Sequence, residues 1–333
     1  MSQQTLTTDI KNIVTDLLEN TLSQNEIEYK INELHTYFKD ITKITGSDTT
    51  LEHLAAVTTA KGKALGLNHA ATCLLDYKRT VTFLKGMVTA IKDKQQTHPN
   101  QTIRIFYAGC GPYAPFITLI APLFTPEEIQ FSLLEINQLS LNCAKNLITE
   151  LQLTHYVQEY YCADAVTFTI PNAHTYHIVF SETLDALLYR ECYLPIVFNF
   201  LPQLSKDVTL IPQNVIIKMS LAPYVIDETQ QQADSIDTLL DVRKEAELNA
   251  IPGVIPNQLP SKKVAVAPLG IERYNYLVLD TLVHVYDTIW LTRNESSLTI
   301  PLQMQLEQPF NFSAIVFTYQ IDPSIEFKCS LEQ

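Results

Sequence analysis

Between residues 102 and 200, short apolar runs typical of buried β-strands alternate with patterns typical of amphipathic helices. Helices are predicted over residues 114–123 and 139–151. A helix between two strands returns the chain to the same end of a sheet, so the strands that it connects run parallel. We therefore predict an α/β fold with a doubly wound, mostly parallel sheet. The strand-like runs are residues 102–107, 131–135, 157–162 and 176–180.

The segments on either side of this region have different patterns. Residues 1–100 keep the helical spacing of apolar residues and include a longer helix from about residue 69 to about residue 91. After residue 204 the apolar runs are again strand-like, but a polar, partly helical insertion lies near residues 228–248. We predict three parts: an N-terminal helical region (1–100), a Rossmann-like domain (101–204) and a C-terminal antiparallel β domain (205–333).

Composition excludes several classes of partner. The 333-residue chain has a formal net charge of −13, which argues against nucleic acid or an anionic membrane as partner. Its six cysteines are scattered without CxxC pairs, a pattern typical of free thiols in a reducing compartment. We find no signal-peptide pattern and no apolar run near the ~18 residues of a membrane span. The sequence predicts a soluble cytoplasmic protein.

Three successive predicted strands end in residues suited to binding a nucleoside. Ala108, Gly109 and Gly111 lie in the turn after the first strand, where glycines let a ligand approach the backbone. Glu135 ends the second strand, where a carboxylate can accept both ribose hydroxyls, and Asp164 follows the third. Taken singly, each acidic residue is equally typical of a helix N-cap. Together at one edge of a parallel sheet, the set predicts a nucleoside cofactor.

The glycine turn restricts which cofactor fits. Dinucleotide-binding folds usually have three glycines in a GxGxxG pattern. Here Pro112, Tyr113 and Ala114 follow Gly111, so the pattern is incomplete and a pyrophosphate would be crowded. A smaller, cationic cofactor such as S-adenosylmethionine (SAM) fits the turn better.

Two carboxylates follow the fourth predicted strand. Glu182 comes at its C-terminal end, and Glu191 follows nine positions later, in what we predict to be the first turns of a helix. Two carboxylates on one loop can hold a planar cation such as a guanidinium. Glu191 as a solvated helix residue, or as a partner of Arg190, remains an alternative. Asp185 and Tyr189 lie in the same loop, and a structural role is the more typical one for each.

These segments resemble the protein arginine methyltransferases, which are class I SAM-dependent enzymes. Residues 75–80 resemble the family's N-terminal helix motif, so the resemblance gives Arg79 the role of holding the SAM carboxylate. Residues 108–111 resemble its glycine motif, and Glu135 matches its ribose-binding acid. Residues 181–191 resemble its double-glutamate loop, with the same nine-residue separation. Arg79 paired with Asp76 on one helix face remains the structural alternative.

The chain also departs from the family pattern. Tyr107 stands where the family usually has an acid, and Tyr113 replaces the last glycine of the glycine motif. The family's Thr-His-Trp loop has no counterpart, and the single tryptophan, Trp290, lies in a different context. We therefore expect the C-terminal β domain to be barrel-like but reduced. The resemblance also allows a homodimer.

The resemblance implies a Rossmann-like SAM-dependent N-methyltransferase in which Glu182 and Glu191 are catalytic. The acceptor is a guanidino nitrogen, either in an arginine-containing acceptor or in a small guanidino or amino metabolite. Two alternatives stay open: a small-molecule methyltransferase acting on another amine, hydroxyl or carboxyl group, and a degenerate, non-catalytic SAM-binding protein. We predict no metal site, because His174 and His177 lack partners at metal-ligand spacing.

Overall fold

The structure is a computed structural model that describes residues 3–19, 21–227, 232–266 and 269–333. Its N-terminal region is helical, as expected, apart from a small β-hairpin. The helix predicted from residue 69 is interrupted at Asp76, whose carboxylate Oδ1 accepts the N–H of Arg79 (3.2 Å) and so begins a new helix. The elements are α1 (Gln3–Leu18), α2 (Gln24–Thr42), α3 (Leu51–Leu54), β1 (Val57–Thr58), β2 (Lys63–Ala64), α4 (Leu67–Thr72) and α5 (Tyr77–Thr97).

A five-stranded parallel sheet forms the centre of the molecule and confirms the predicted α/β fold class. Its strand order is β5-β4-β3-β6-β7, with every neighbouring pair parallel. The order reverses direction at β3 and β6, and in such sheets ligands bind beyond the carboxyl ends of the strands at this reversal. The strands are β3 (Ile103–Ala108), β4 (Ile129–Glu135), β5 (Val157–Cys162), β6 (Ile178–Ser181) and β7 (Thr209–Ile211). The sheet thus extends past residue 204, the predicted domain boundary.

Two predicted helices are wrong or too long. The helix predicted over 114–123 is only one turn, α6 (Pro115–Thr118), because Pro122 lacks an N–H and disfavours helix at the preceding residue. No helix carries Glu191. Leu187 and Leu188 have φ values of 60° and 55°, which an α-helix does not allow, so only a 3₁₀ turn forms there. The next helices are α7 (Gln138–Glu150) and α8 (Tyr193–Phe200), the latter beginning two residues after Glu191.

The C-terminal part is antiparallel, as predicted, and its strands form two separate sheets. One has the order β12-β11-β8-β9, with β13 also pairing with β11, and the other has the order β10-β14-β15. The apolar run over residues 208–221 is divided at Pro212, so β7 joins the parallel sheet and β8 the antiparallel one. These elements are β8 (Asn214–Ala222), β9 (Asp234–Asp241), α9 (Val242–Asn249), β10 (Lys262–Ala265), β11 (Tyr276–Tyr286), β12 (Ile289–Leu291), β13 (Leu302–Gln305), β14 (Ala314–Gln320) and β15 (Glu326–Glu332).

The predicted helical insertion near residues 228–248 is helical only in its last part. Residues 228–231 lie outside the described residues. Beyond them, β9 pairs with the edge of β8, because an unpaired strand edge offers backbone partners that outweigh local helix preference. Only α9 is helical.

One continuous hydrophobic core joins the three predicted parts. Phe83 of α5 packs its ring against Phe180 of β6 (5.9 Å between centroids) and Phe116 of α6 (6.0 Å). On the same helix, a Cβ atom added to Gly86 would lie 2.5 Å from Val285 of β11, so α5 packs closely on the β domain as well. Helix α5, which carries Arg79, is therefore held between the parallel sheet and the antiparallel sheet that contains β11. Within the described residues, no helix has the length and apolar character of a transmembrane span.

Candidate active site

A cavity of about 1010 Å³, including the part open to solvent, lies at the carboxyl edge of the parallel sheet. Most of the residues predicted to form a site line this cavity, namely Gly109, Gly111, Glu135, Asp164, Glu182 and Glu191. Ala108 is buried behind it as the last residue of β3, and Arg79 reaches it by binding Glu182. The site thus brings together residues as distant in the sequence as Arg79 and Glu182, which are 103 positions apart.

The glycine turn has a backbone that only glycine adopts without strain. Gly109 and Gly111 have φ values of 71° and 66°, in the left-handed region. A Cβ atom on Gly109 would lie 2.3 Å from Cγ2 of Thr183, whereas a Cβ on Gly111 would meet only Ala70, at 3.9 Å. The first glycine thus allows close packing against the loop after β6, and the second leaves the cavity open beside the backbone.

We expect Gly109→Ala to lower the free energy of unfolding by about 2–4 kcal/mol, since it adds a steric clash to the left-handed backbone cost. Gly253→Ala is the matched control, because Gly253 also has a positive φ (74°) but nothing within 4 Å of an added Cβ. Urea denaturation should show about 1–2 kcal/mol for the control. Equal losses in the two variants would show that Thr183 yields to the added methyl group.

Glu135 closes the turn instead of capping the next helix. Its carboxylate accepts two backbone N–H groups, from Gly111 (2.9 Å) and from Asn137 (2.9 Å), while Asn137 itself caps α7. Burial raises the pKa of the Glu135 carboxyl, and the two N–H donors oppose this shift. The helix-cap alternative is therefore wrong for Glu135, which holds the end of β4 against the glycine turn at the cavity wall.

Asp164 joins the end of β5 to the β1–β2 hairpin. Its Oδ1 atom accepts the N–H of Val166 (2.9 Å), and its Oδ2 atom accepts the N–H of Ala60 at the hairpin tip (2.6 Å). The hairpin covers the cavity, and three residues in or next to it, Thr59, Ala64 and Leu65, line it. Sequence analysis missed this hairpin, because its strands are two residues long and only Gly62 marks the turn.

Two further contacts hold the hairpin in place. Lys63 forms a parallel backbone bridge with Glu191. Lys61 makes an ion pair with Asp322 of the β domain, with 2.7 Å between Nζ and Oδ1. The hairpin therefore touches the parallel sheet, the glutamate loop and the β domain at once.

Arg79 forms a buried ion pair with Glu182. Its Nε atom donates to Oε1 of Glu182 and its Nη2 atom to the Glu182 carbonyl oxygen (3.3 Å); both side chains are about nine-tenths buried. The predicted alternative, a side-chain pair with Asp76, is not formed, because that carboxylate caps α5 and binds Ser297. Within the described part of the chain, Nη1 of Arg79 has no hydrogen-bond acceptor.

The charges of this pair affect each other. Burial lowers the pKa of Arg79, but the charge and hydrogen bond of Glu182, together with Cys73 and Glu191, outweigh that effect and keep the guanidinium protonated. Burial raises the pKa of Glu182, and Arg79 opposes that rise. Because the two groups are in contact, each favours the charged form of the other.

Glu191 is buried, so its interpretation as a solvated helix residue is wrong. Glu191 is only 9% exposed. The neighbouring Arg190 side chain is 71% exposed and stacks on Tyr189. Burial raises the pKa of Glu191 to about 8, Arg79 opposes the shift, and Glu182 adds to it. Near pH 7 the Glu191 carboxyl is mostly protonated.

The β domain determines the shape of the glutamate loop. The N–H of Leu187 donates to Oγ1 of Thr281 on β11 (2.8 Å), and the hydroxyl of Tyr319 on β14 donates to the carbonyl of Leu188. Both leucines have the left-handed backbone noted above, which costs roughly 1–2 kcal/mol for each such residue. The loop keeps this costly conformation because long-range contacts hold it.

The two tyrosines that depart from the family pattern are buried and line the cavity. Tyr107 packs its ring against Phe180 (4.9 Å between centroids) and donates to the carbonyl of Cys110 (3.3 Å). Tyr113 donates to the carbonyl of Ile44 (2.6 Å) and packs on Phe38. These contacts anchor the glycine turn to the surrounding core, and both tyrosines form part of the cavity wall.

No family model and no curated protein sequence match the chain. Among solved structures it is similar to the Trypanosoma brucei PRMT1 enzyme–prozyme heterotetrameric complex with AdoHcy, with 12% identity and a TM-score of 0.46 over 78% of this chain and 95% of that one. It is also similar to Arabidopsis thaliana protein arginine methyltransferase 10 in an open conformation, with 11% identity and a TM-score of 0.47 over 74% and 93% of the two chains. Both structures are of protein arginine methyltransferases.

Proposed function

We propose that the protein is a SAM-dependent N-methyltransferase that transfers a methyl group to a guanidino nitrogen. The observation that carries this proposal is that the two glutamates and the predicted nucleoside-binding residues line one cavity. Two buried carboxylates, Glu182 and Glu191, face the same space as the glycine turn and Glu135. A site that pairs a nucleoside-binding wall with two acidic side chains suits a cationic acceptor.

The residues at the cavity wall fit SAM. Gly111 leaves room beside the backbone, and Glu135 lies next to it, where it would accept hydrogen bonds from a ribose. Asp164 at the next strand end would lie beside the adenine. The Nη1 atom of Arg79 would donate to the carboxylate of the cofactor. When bound, SAM supplies an electrophilic methyl group attached to a sulfonium.

The two glutamates would raise the nucleophilicity of a bound guanidino group. A guanidinium is a poor nucleophile, because its charge is delocalised and its pKa is above ~12. Carboxylates that bind its N–H groups draw the positive charge toward one nitrogen and leave another more nucleophilic. They also orient that nitrogen toward the methyl group, which an in-line displacement requires. Since Glu191 is mostly protonated near pH 7, binding of a cationic acceptor should release a proton from it.

The purified full-length protein tests the proposal in two steps. Isothermal titration calorimetry with S-adenosylhomocysteine (AdoHcy) should show binding at a single site. Radiolabelled SAM should then transfer its label to free arginine, to an arginine-containing peptide or to agmatine. Absence of AdoHcy binding would favour a degenerate protein. Binding with transfer only to amine, hydroxyl or carboxyl acceptors would favour the other small-molecule methyltransferase and overturn the guanidine assignment.

A further inference from the structure

Asp185 lies between the two glutamates and is the third carboxylate of the loop. We infer that Asp185 is a positioning residue that fixes the backbone of Glu191 and keeps its carboxyl group turned into the cavity. The effect of Asp185 on catalysis rests on the proposed function. Its hydrogen bonds to the loop do not depend on that function. Asp185 does not line the cavity itself, so its effect on a bound acceptor would pass through Glu191.

The carboxylate of Asp185 closes the loop on itself. Its Oδ1 atom accepts the N–H of Arg190 (3.4 Å) and the N–H of Glu191 (3.2 Å). Its backbone carbonyl accepts the N–H of Leu188 (3.0 Å), which forms the 3₁₀ turn between them. One residue thus binds both the middle and the end of the loop. Among the described residues, the backbone at Glu191 has one further strand-like pairing, its bridge to Lys63.

The other carboxylate oxygen of Asp185 lies in a buried environment that disfavours negative charge. Oδ2 is buried and has no hydrogen-bond partner among the described residues. The Arg190 Nε atom lies 3.7 Å away, beyond hydrogen-bond distance, on a side chain that is mostly exposed. A buried carboxylate oxygen without a donor lowers stability. Burial raises the pKa of the Asp185 carboxyl, while the N–H groups of Glu191 and Arg190 and the charge of Arg190 oppose that rise and favour its ionised form.

The charged and titratable groups around Glu191 show what that charge does. Negative charge on Asp185 and on Glu182 raises the pKa of Glu191 beyond the effect of burial, while Arg79 and Arg190 lower it. Asp185 therefore influences both the position of Glu191 and its proton affinity. Within the described parts of the chain, the titratable neighbours of Glu191 are Arg79 from α5, Cys73 from the turn before α5, Glu182 from the end of β6, Lys63 from the hairpin, and Asp185, Arg190 and Cys192 from the loop.

Two substitutions separate the position of Glu191 from its proton affinity. Asp185→Asn keeps a side-chain oxygen that accepts the two N–H groups but removes the charge. Asp185→Ala removes both the acceptor and the charge. We expect Asp185→Ala to lower kcat about 100-fold, as a displaced catalytic group does, with AdoHcy affinity unchanged. We expect Asp185→Asn to keep most of kcat and to shift the pH profile of kcat to lower pH, a shift that a purely structural role would not cause.

A second measurement does not depend on methyl transfer. Side-chain ¹³C NMR of glutamate-labelled, cofactor-free protein reports the titration of Glu191, whose signal is assigned by its loss in Glu191→Gln. The midpoint should fall in Asp185→Asn and stay unchanged in Asp287→Asn, which removes a charge from the exposed turn between β11 and β12. A lower midpoint in a protein that methylates nothing would support the role of Asp185 while refuting the proposed function. The inference is overturned if Asp185→Ala leaves both kcat and the Glu191 midpoint unchanged, and the electrostatic role of Asp185 is refuted if the midpoint stays the same in Asp185→Asn.

Discussion

Arg79→Met should lower the free energy of unfolding by about 3–5 kcal/mol, because it leaves the buried Glu182 carboxylate without its partner. Methionine keeps most of the apolar stem, so the loss measures mainly the missing charge. Urea denaturation at pH 7 gives the value. The same variant should bind AdoHcy at least ~10-fold more weakly in calorimetry, since a charge-assisted hydrogen bond to the cofactor carboxylate is lost.

A double-mutant cycle tests the cause of this loss. Arg79→Met combined with Glu182→Gln removes both charges and should recover a large part of the stability lost in the single variant. Lys30→Met is the matched control, because Lys30 pairs with Asp16 at 2.7 Å near the surface, where such pairs contribute about 0–1 kcal/mol. If Arg79→Met costs no more than Lys30→Met, the buried pair does not stabilise the fold as we infer.

Glu191→Gln should lower turnover by at least ~100-fold while AdoHcy affinity stays within about threefold of the wild-type value. Glutamine keeps the size and one acceptor oxygen but cannot carry the negative charge that draws on a bound guanidinium. Initial rates with labelled SAM and calorimetry with AdoHcy separate the two effects. A variant with normal turnover would remove Glu191 from the chemistry.

The same substitution should change how stability depends on pH. The pKa of Glu191 rises from about 4.5 to about 8 on folding, so between these values the native state binds more protons than the unfolded state. Wild-type stability relative to Glu191→Gln should therefore fall as pH rises from about 5 to 8, by on the order of 4 kcal/mol in total. Urea denaturation at pH 5, 6.5, 8 and 9 measures it, and a difference independent of pH would contradict burial of an acidic Glu191.

Local sequence patterns were sufficient to predict the parallel sheet and the cavity residues at the ends of its strands. Strands β3 to β6 are apolar runs separated by segments long enough for crossovers, so their order of appearance and parallel direction follow. Because parallel strands end at one edge, Gly109, Glu135, Asp164 and Glu182 had to come close together once the strands were identified. No contact between distant side chains was needed for that prediction.

The parts that sequence reasoning missed depend on distant contacts. Arg79 and Glu182 are 103 positions apart, and nothing in either local pattern favours this partner over Asp76. The loop before Glu191 has two leucines that favour helix locally, yet Thr281 and Tyr319 hold them in a conformation that excludes it. Propensity is a weak prior, and tertiary contacts outweighed it here.

The contacts from Thr281 and Tyr319 mean that the proposed chemistry cannot be separated from the C-terminal part by cutting the chain. Transplanting the parallel sheet into another protein would carry along the glycine turn, Glu135 and Asp164. It would leave behind both side chains that bind the loop at Leu187 and Leu188. Such a transplant would keep the nucleoside-binding residues but lose the fixed conformation of the loop that carries Glu182 and Glu191. We therefore expect it to bind the cofactor but not to catalyse methyl transfer.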